Sequence, residues 1–367
     1  MLNNVYVRKM KRYSVLCVKA SVSFIIVCMK KVSIFLILSS LILSSCSYFI
    51  KEKVEKISIA IAPSAIPSEI LSASDDFKEG LRAYLYDEGY DVSTIDVVVY
   101  DTHAQTREAI SSSNVDIAYL PVLQYLKIID SVDYLASVTN PQLNMGSDIE
   151  TYNNASLNDK PMADLSFRQA LIYTGPSAVG KSLSSKLQNN ELITWIDLNV
   201  ASWCHVVVSN LDGYVYPSLW LIDEYGRRMG ELFDHTLEVR GYADVVASLA
   251  DESCDIAVGP SLLRYDYAED WVDSDVYNRS SSIFDEVKVI GVTDPIYSDV
   301  FVSRKLNEEE DSLSPEIITL IQNYLVQIVE EKPKLFEVLG FSGIEILSSE
   351  DYQTMIPALE YVERIMS

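Results

Sequence analysis

The sequence predicts an α/β protein of two lobes, each a mostly parallel sheet flanked by helices, with further helices at the C-terminal end. Three observations predict it. From residue 57 onward, short apolar runs alternate with stretches of helical period, which is the pattern of βαβ units. That pattern also comes round twice. Val115-Asp-Ile-Ala-Tyr119 and Cys254-Asp-Ile-Ala-Val258 each follow a helical stretch and a polar turn, and each leads into an apolar strand. Between residues 139 and 165 the chain is rich in Asn, Asp, Gly and Pro, as suits a connection between lobes.

Taken in order, residues 57–62 (Ile-Ser-Ile-Ala-Ile-Ala) alternate as a strand does, and Pro63 and Pro67 stop it. Ile70, Phe77, Leu81, Tyr84 and Leu85 then recur at helical spacing. Residues 97–100 form the next strand, 102–112 a helix and 116–120 a third strand. In the second half, 171–174 reads as a strand, the chain from Leu183 as a helix, 214–225 as a helix with Pro217 in its first turn, and 242–251 as a helix. Residues 287–293 (Val-Lys-Val-Ile-Gly-Val-Thr) are a strand on which the chain is expected to return to the first lobe. Residues 315–367 are helical in pattern, with Ile317, Leu320, Ile321, Tyr324, Leu325 and Ile328 on one face. The first lobe is thus expected from 57–145 and 287–367, the second from 146–286, and 46–56 as a charged tether.

Charge is distributed unevenly. Residues 1–45 hold seven Lys or Arg and no acidic residue, whereas the chain from residue 46 holds 22 basic and 53 acidic residues. Such an acidic body lacks the basic footprint that a phosphate backbone requires, so nucleic acid is not an expected partner. The basic start includes Met29-Lys-Lys31, an apolar run from Val32 to Leu43, and Leu43-Ser-Ser-Cys46. A charged region, a short apolar region and small residues before a cleavage point make a secretory signal. Residues 1–28 are read as an upstream extension, with Met29 the true start. An uncleaved signal or an ordinary transmembrane anchor is the alternative.

Catalytic constellations are thin. None of the three histidines, His103, His205 and His235, stands in a nucleophile motif, and no Cys/His spacing points to zinc. No catalytic residue, metal or cofactor is therefore assigned. Cys204 and Cys254 are read as two buried thiols rather than one disulfide. The one motif that argues for an enzyme is Gly175-Pro-Ser-Ala-Val-Gly-Lys-Ser182, which matches the phosphate-binding loop G-x-x-x-x-G-K-[ST]. A P-loop phosphotransferase is the rival reading. Against it stands the export signal, which places the body where nucleotide triphosphate is scarce. The plain alternative for the motif is a turn and helix start in the second lobe.

Leu43-Ser-Ser-Cys46 resembles the lipobox of bacterial lipoproteins, which implies diacylglycerol on Cys46, removal of the residues before it and an extracytoplasmic, membrane-anchored body. Four further stretches resemble the phosphonate/phosphate-type solute-binding proteins of ABC transporters. They are Ile59-Ala-Ile-Ala-Pro-Ser64; Val115-Asp-Ile-Ala-Tyr-Leu-Pro121 with Tyr125; Gly213-Tyr-Val-Tyr-Pro-Ser-Leu-Trp220; and Asp255-Ile-Ala-Val-Gly259 with Arg264-Tyr-Asp-Tyr267 and Asp294-Pro-Ile-Tyr-Ser-Asp299. The resemblance implies the type II periplasmic binding fold, capture of a small solute between two hinged lobes, and an ABC permease and ATPase as partners. A monomer is expected, and a sensor or adhesin that kept the fold is a third reading.

Ligands of open α/β sheets sit beyond the carboxyl ends of strands, where Tyr119, Ser209 and Gly259 fall. The expected ligand contacts are Tyr119, Ser209, Asn210, Asp212, Gly213, Tyr214, Tyr242, Arg264 and Tyr297. For Tyr119 and Tyr297 the alternatives are a core position and a surface tyrosine; for Arg264, a surface ion pair. Family members similar to this chain carry Ser or Thr hydroxyls across the loop where phosphonate oxygens sit. Here Leu211 and Asp212 depart from that pattern. Asp212 is expected to cap the helix or to meet an ammonium group, which counts against a simple phosphate or phosphonate dianion and is compatible with a zwitterion, a neutral solute or an amine. Arg264 would serve a phosphoryl or carboxylate group bidentately, so phosphonates and organophosphates stay among the expected solutes.

Overall fold

A computed structural model describes residues 51–232, 235–305 and 313–367. Met29, Cys46 and the signal segment lie outside the described residues. In chain order the strands are β1 (Glu52–Ile61), β2 (Tyr90–Val99), β3 (Ile117–Leu120), β4 (Val132–Leu143), β5 (Met162–Leu165), β6 (Phe167–Arg168) and β7 (Ala170–Thr174). They continue as β8 (Trp203–His205), β9 (Thr236–Glu238), β10 (Ile256–Pro260), β11 (Lys288–Val292), β12 (Ile296–Tyr297), β13 (Val300–Arg304) and β14 (Gly343–Glu345).

Twelve of them form two sheets, one per lobe, and β6 and β12 pair with each other as a separate two-stranded sheet. The first has the order β14-β4-β13-β3-β1-β2, with β5 on β4, and the second has the order β11-β7-β10-β8-β9. Each sheet is parallel where the sequence reads βαβ: β2 and β3 flank β1 in parallel, and β10, β8 and β9 run parallel. The strands that carry the chain between sheets run the other way. β13 is inserted antiparallel between β3 and β4, and β7 antiparallel between β10 and β11. The sheets are therefore mixed, not mostly parallel.

The helices of the first lobe follow from local rules. Helix Pro67–Asp87 begins on a proline, whose missing N–H costs nothing there, and buries Ile70, Phe77, Leu81 and Leu85. Helix His103–Ser111 starts in a capping box between Thr102 and Gln105. Helix Pro315–Gln327 is capped by Ser314 and buries Ile317, Ile318, Ile321, Tyr324 and Leu325 against the same core. Each such side chain stabilises the fold by about 1.5–3 kcal/mol on leaving water.

The twice-repeated Asp-Ile-Ala proves to be a structural clamp. In the first lobe Asp116 Oδ2 accepts the Ser58 N–H at 2.8 Å and the Ser58 hydroxyl at 2.7 Å, and the Asp116 N–H donates back to Ser58 Oγ at 3.1 Å. In the second lobe Asp255 Oδ2 accepts the Ser202 N–H and hydroxyl, both at 2.8 Å, and its N–H returns to Ser202 Oγ at 3.0 Å. Both aspartates lie at the strand entry, away from the ligand end.

Several expectations are corrected. Residues 52–56 are not tether but strand, paired with Tyr90 to Thr94. The stretch 139–165 is not a simple linker, because β4 runs on to Leu143 and β5 returns to pair with it. β11 does not return to the first lobe. It pairs with β7, buries Val289 and Ile290, and is fixed by Asn153, whose side chain exchanges two hydrogen bonds with the Val289 backbone at 2.7 and 2.8 Å. The return comes one strand later, through β12 into β13. Cys204 and Cys254 are not free thiols. They form a disulfide, their Cα atoms 5.8 Å apart, because β8 and β10 are neighbours and Cys254 enters β10.

The C-terminal segment is not all helix, since β14 interrupts it. Its last helix, Ile356–Met366, packs on helix Val122–Leu126 of the first lobe and on Leu211–Val215 and helix Tyr216–Tyr225 of the second. Glu363 pairs with Lys127 at 3.0 Å, and the Tyr361 ring lies 6.4 Å from that of Tyr214. No helix among the described residues is long and apolar enough to cross a membrane.

Candidate functional site

The chain passes between the two sheets along β6 and again along β12, and these two crossings pair with each other antiparallel. The Ser298 N–H donates to the Ser166 carbonyl at 2.8 Å beside them. Arg168 ends the first crossing and Asp299 follows the second. The crossings thus set a cation and an anion where the lobes meet.

Arg168 is held by Asp212 of the second lobe. Its Nε donates to Oδ1 at 2.8 Å and its Nη2 to Oδ2 at 2.8 Å, a side-on fork. Asp212 is only 11% exposed in its side chain and Arg168 30%. Asp212 is therefore not the cap of its turn, as expected from sequence. That role falls to Asn210, whose Oδ1 accepts the Gly213 N–H at 2.7 Å and the Tyr242 hydroxyl at 2.9 Å. Tyr242 fits because two glycines make room. A Cβ at Gly259 would stand 3.1 Å from its ring, and one at Gly213 3.1 Å from its hydroxyl and closer still to Val206. Burial raises the Tyr242 phenol, and the Asp212 charge adds to the effect.

Asp299 is held from the first lobe. Its Oδ1 accepts the Val122 N–H at 2.9 Å and its Oδ2 the Tyr119 hydroxyl at 3.3 Å. Burial pushes its carboxyl above the usual carboxylate range, while the Val122 N–H and the Arg168 charge pull it back. Tyr119, Asn140, Arg168, Ser298 and Asp299 line a cavity of about 140 Å³, together with Val138 and the backbone turn Leu339–Phe341. Roomier grooves lie on outer faces, such as the groove of about 510 Å³ between Val207 and Ser248 beside β9. The charged groups of that groove, Glu238, Arg240 and Asp244, are solvated rather than enclosed: the Arg240 side chain is 95% exposed and meets Asp244 at 3.4 Å. Among the described residues no cluster of His, Cys, Asp or Glu is arranged to hold a metal ion.

The residues expected from sequence therefore divide. Tyr119 lines this cavity. Asp212 holds Arg168, and in the same turn Asn210 ties down the Gly213 N–H and the Tyr242 hydroxyl. Ser209 is half-buried in the turn before Asn210. Tyr214 is turned away, its ring edge-on to His205 at 4.9 Å and its phenol pushed up to about 12 by burial. Tyr297 is packed between Phe167 and Tyr352, its hydroxyl 3.5 Å from Asp351. Arg264 is corrected outright. It is 1% exposed, donates to the carbonyls of Val287 at 3.2 Å and Tyr152 at 2.6 Å, and lies over the Phe284 ring, so it is a core residue of the second lobe. Sequence reasoning missed Arg168, Asp299, Asn140 and Tyr216, whose phenol lies in the field of Asp294, Arg168 and Asp212. Asp299 closes the stretch Asp294-Pro-Ile-Tyr-Ser-Asp299, where no local period distinguishes it from a turn residue.

The phosphate-loop motif has no cradle. Ser177 caps helix Ala178–Gln188 through the Gly180 N–H at 3.0 Å, and its hydroxyl donates to Asp255 Oδ1 at 2.5 Å. The Gly175 N–H is taken by the Asp255 carbonyl at 2.8 Å. Gly180 lies directly on the Gly175 backbone, with no space for even a Cβ. A carboxylate thus stands where phosphate oxygens would be needed.

A family model for periplasmic substrate-binding proteins of phosphonate ABC transporters matches residues 59–352. Among curated proteins none matches the sequence. Among solved structures the chain is similar to Mh-p37 of Mycoplasma hyorhinis, a proposed thiamine pyrophosphate transporter, with TM-score 0.57 and 10% identity over 86% of this chain and 100% of that one. It is also similar to a binding protein component of an ABC phosphonate transporter from Pseudomonas aeruginosa (TM-score 0.42, 15% identity, 84% and 87% covered). A third is PhnD1 from Prochlorococcus marinus in complex with methylphosphonate (TM-score 0.42, 8% identity, 85% and 98% covered). At these identities the likeness concerns the fold alone. The two-sheet architecture and the match over most of its length place the chain in the family of periplasmic substrate-binding proteins of phosphonate ABC transporters.

Proposed function

We propose that this chain captures a small polar solute at the Arg168–Asp299 cavity and delivers it to an ABC permease and its ATPase, from a position outside the cell membrane held by lipid on Cys46. The observation that carries the reading is the pair of crossings, which puts one forked arginine and one carboxylate at the meeting of two lobes. Solute-binding proteins of this architecture work by closing the lobes on the ligand. Asp212 then acts as the support for Arg168, and Tyr119 as the partner of Asp299.

Two further observations favour an extracytoplasmic body. A signal-like segment and a stretch that resembles a lipobox precede it, and the Cys204–Cys254 disulfide suits an oxidising compartment. No chemistry on the solute is invoked. The phosphate-loop motif is blocked by Asp255.

A thermal-shift screen of the purified chain against phosphonates, phosphate esters, amines, amino acids and thiamine compounds tests the reading, since a ligand that binds only the folded state raises its melting temperature. At least one class should do so. Asp212→Asn should strengthen binding of anions by releasing the second edge of Arg168. If no class raises the melting temperature, solute capture is refuted.

A further inference from the structure

We infer that Arg168 and Asp299 together select a compact zwitterion, with a planar carboxylate on the arginine and an ammonium group on the aspartate, and discriminate against a phosphonate dianion. The inference rests on the solute-capture reading and names its substrate class. A guanidinium has two forked edges. Asp212 occupies the side-on edge, through Nε and Nη2. The end-on edge, with Nη1, has no hydrogen-bond partner among the described residues. That edge matches the two coplanar oxygens of a carboxylate, with two parallel N–H···O bonds.

Asp299 is complementary. An ionised carboxylate offers about four acceptor positions, and the Val122 N–H and Tyr119 hydroxyl use two. An ammonium group brings donors for the others. Both side chains line the same cavity of about 140 Å³. At water's share of about 30 Å³ per molecule, that is room for roughly five heavy atoms, the size of a small amino acid.

Charge decides against the dianion. Arg168, Asp212 and Asp299 sum to one negative charge when all are ionised. A zwitterion leaves that sum unchanged, whereas a phosphonate dianion would face two carboxylates across a single guanidinium. The loop that supplies Ser and Thr hydroxyls in similar family members here carries Leu211 and Asp212. In the cavity the dianion would therefore meet one cation, Arg168, with only the neutral Asn140, Ser298 and Tyr119 beside it.

The test uses isothermal titration of the full chain in detergent, with glycine and β-alanine as zwitterions, methylphosphonate as dianion, acetate as lone carboxylate and methylamine as lone cation. A zwitterion should bind at least about tenfold more tightly than the other three. Asp299→Asn should weaken it by about thirtyfold or more, as for loss of one partner of an enclosed charge pair. Arg168→Lys keeps the ion pair with Asp212, and hence the fold, but has no second fork. It should weaken the zwitterion by about tenfold or more with the melting temperature held. Methylphosphonate binding as tightly as glycine or β-alanine would overturn the inference, as would a zwitterion affinity that Arg168→Lys leaves unchanged. Binding of methylphosphonate alone overturns the zwitterion class while leaving solute capture intact. If none of the five probes and no class of the wider screen binds, capture itself fails.

Discussion

Joining Cys204 to Cys254 closes a loop with a sequence separation of 50 residues, all of it inside the second lobe. In the unfolded chain such a loop removes conformational entropy that grows with the logarithm of its length, worth about 4 kcal/mol at 25 °C for this size. Cutting the bond with dithiothreitol, or replacing both cysteines by alanine, should destabilise the second lobe by roughly that amount. At about 2–4 °C per kcal/mol for a unit of this size, melting should fall by about 8–16 °C. The lobe carries its own reporter. All four tryptophans, Trp195, Trp203, Trp220 and Trp271, belong to it, and Trp203 and Trp271 are fully buried. Urea unfolding followed by tryptophan fluorescence, with and without reductant, measures the difference. A reduced and an oxidised protein whose midpoints coincide would refute the reasoning, as would two reactive thiols at these positions in unreduced, denatured protein.

Other outcomes follow from the same structure. Arg264→Ala leaves the carbonyls of Val287 and Tyr152 without their donor and opens a cavity, so urea unfolding should show a loss of about 3 kcal/mol or more, with solute affinity unchanged at temperatures where the protein stays folded. The Asp299 carboxyl is raised by burial, so the folded state holds its proton more tightly than the unfolded one, and its contribution to stability falls as pH climbs from the ordinary value of 3.8 through the raised one. Asp299→Asn should accordingly gain stability over the wild type as pH rises above the ordinary carboxylate value of 3.8, read in urea titrations; a constant difference would show that Asp299 titrates alike in both states. Lys181→Ala should change stability by less than about 0.5 kcal/mol and leave solute binding untouched, because the motif around it is a helix cap. Cys46→Ser should move the protein from the membrane fraction to the soluble extracytoplasmic fraction, and its retention on membranes would remove the lipid anchor from the proposal.

Much of the architecture was legible because it is written in local periods. Ile70, Phe77, Leu81 and Leu85 announce their helix, and the two Asp-Ile-Ala stretches announce the paired lobes through a clamp that depends on one Ser and one Asp in each. What was not legible depends on partners distant in sequence. Val289 and Ile290 would suit either sheet, and only the Asn153 side chain and the flank of β7 decide which. β6 is two residues long, too short for any period, so nothing in the sequence lifted Arg168 above the other basic residues. Arg264 looked like a cation on a helix, and its burial follows from carbonyls supplied 112 and 23 residues away. Cys204 and Cys254 were ambiguous for the same reason, since strand order rather than spacing makes them neighbours.

The final helix touches both halves of the molecule at once, through Lys127 on one side and Tyr214 on the other. For the halves to separate and admit a guest, one of those grips must loosen. On the proposed reading, the contacts of helix Ile356–Met366 set a cost on parting the lobes, while the groups at the Arg168–Asp299 cavity stay as they are.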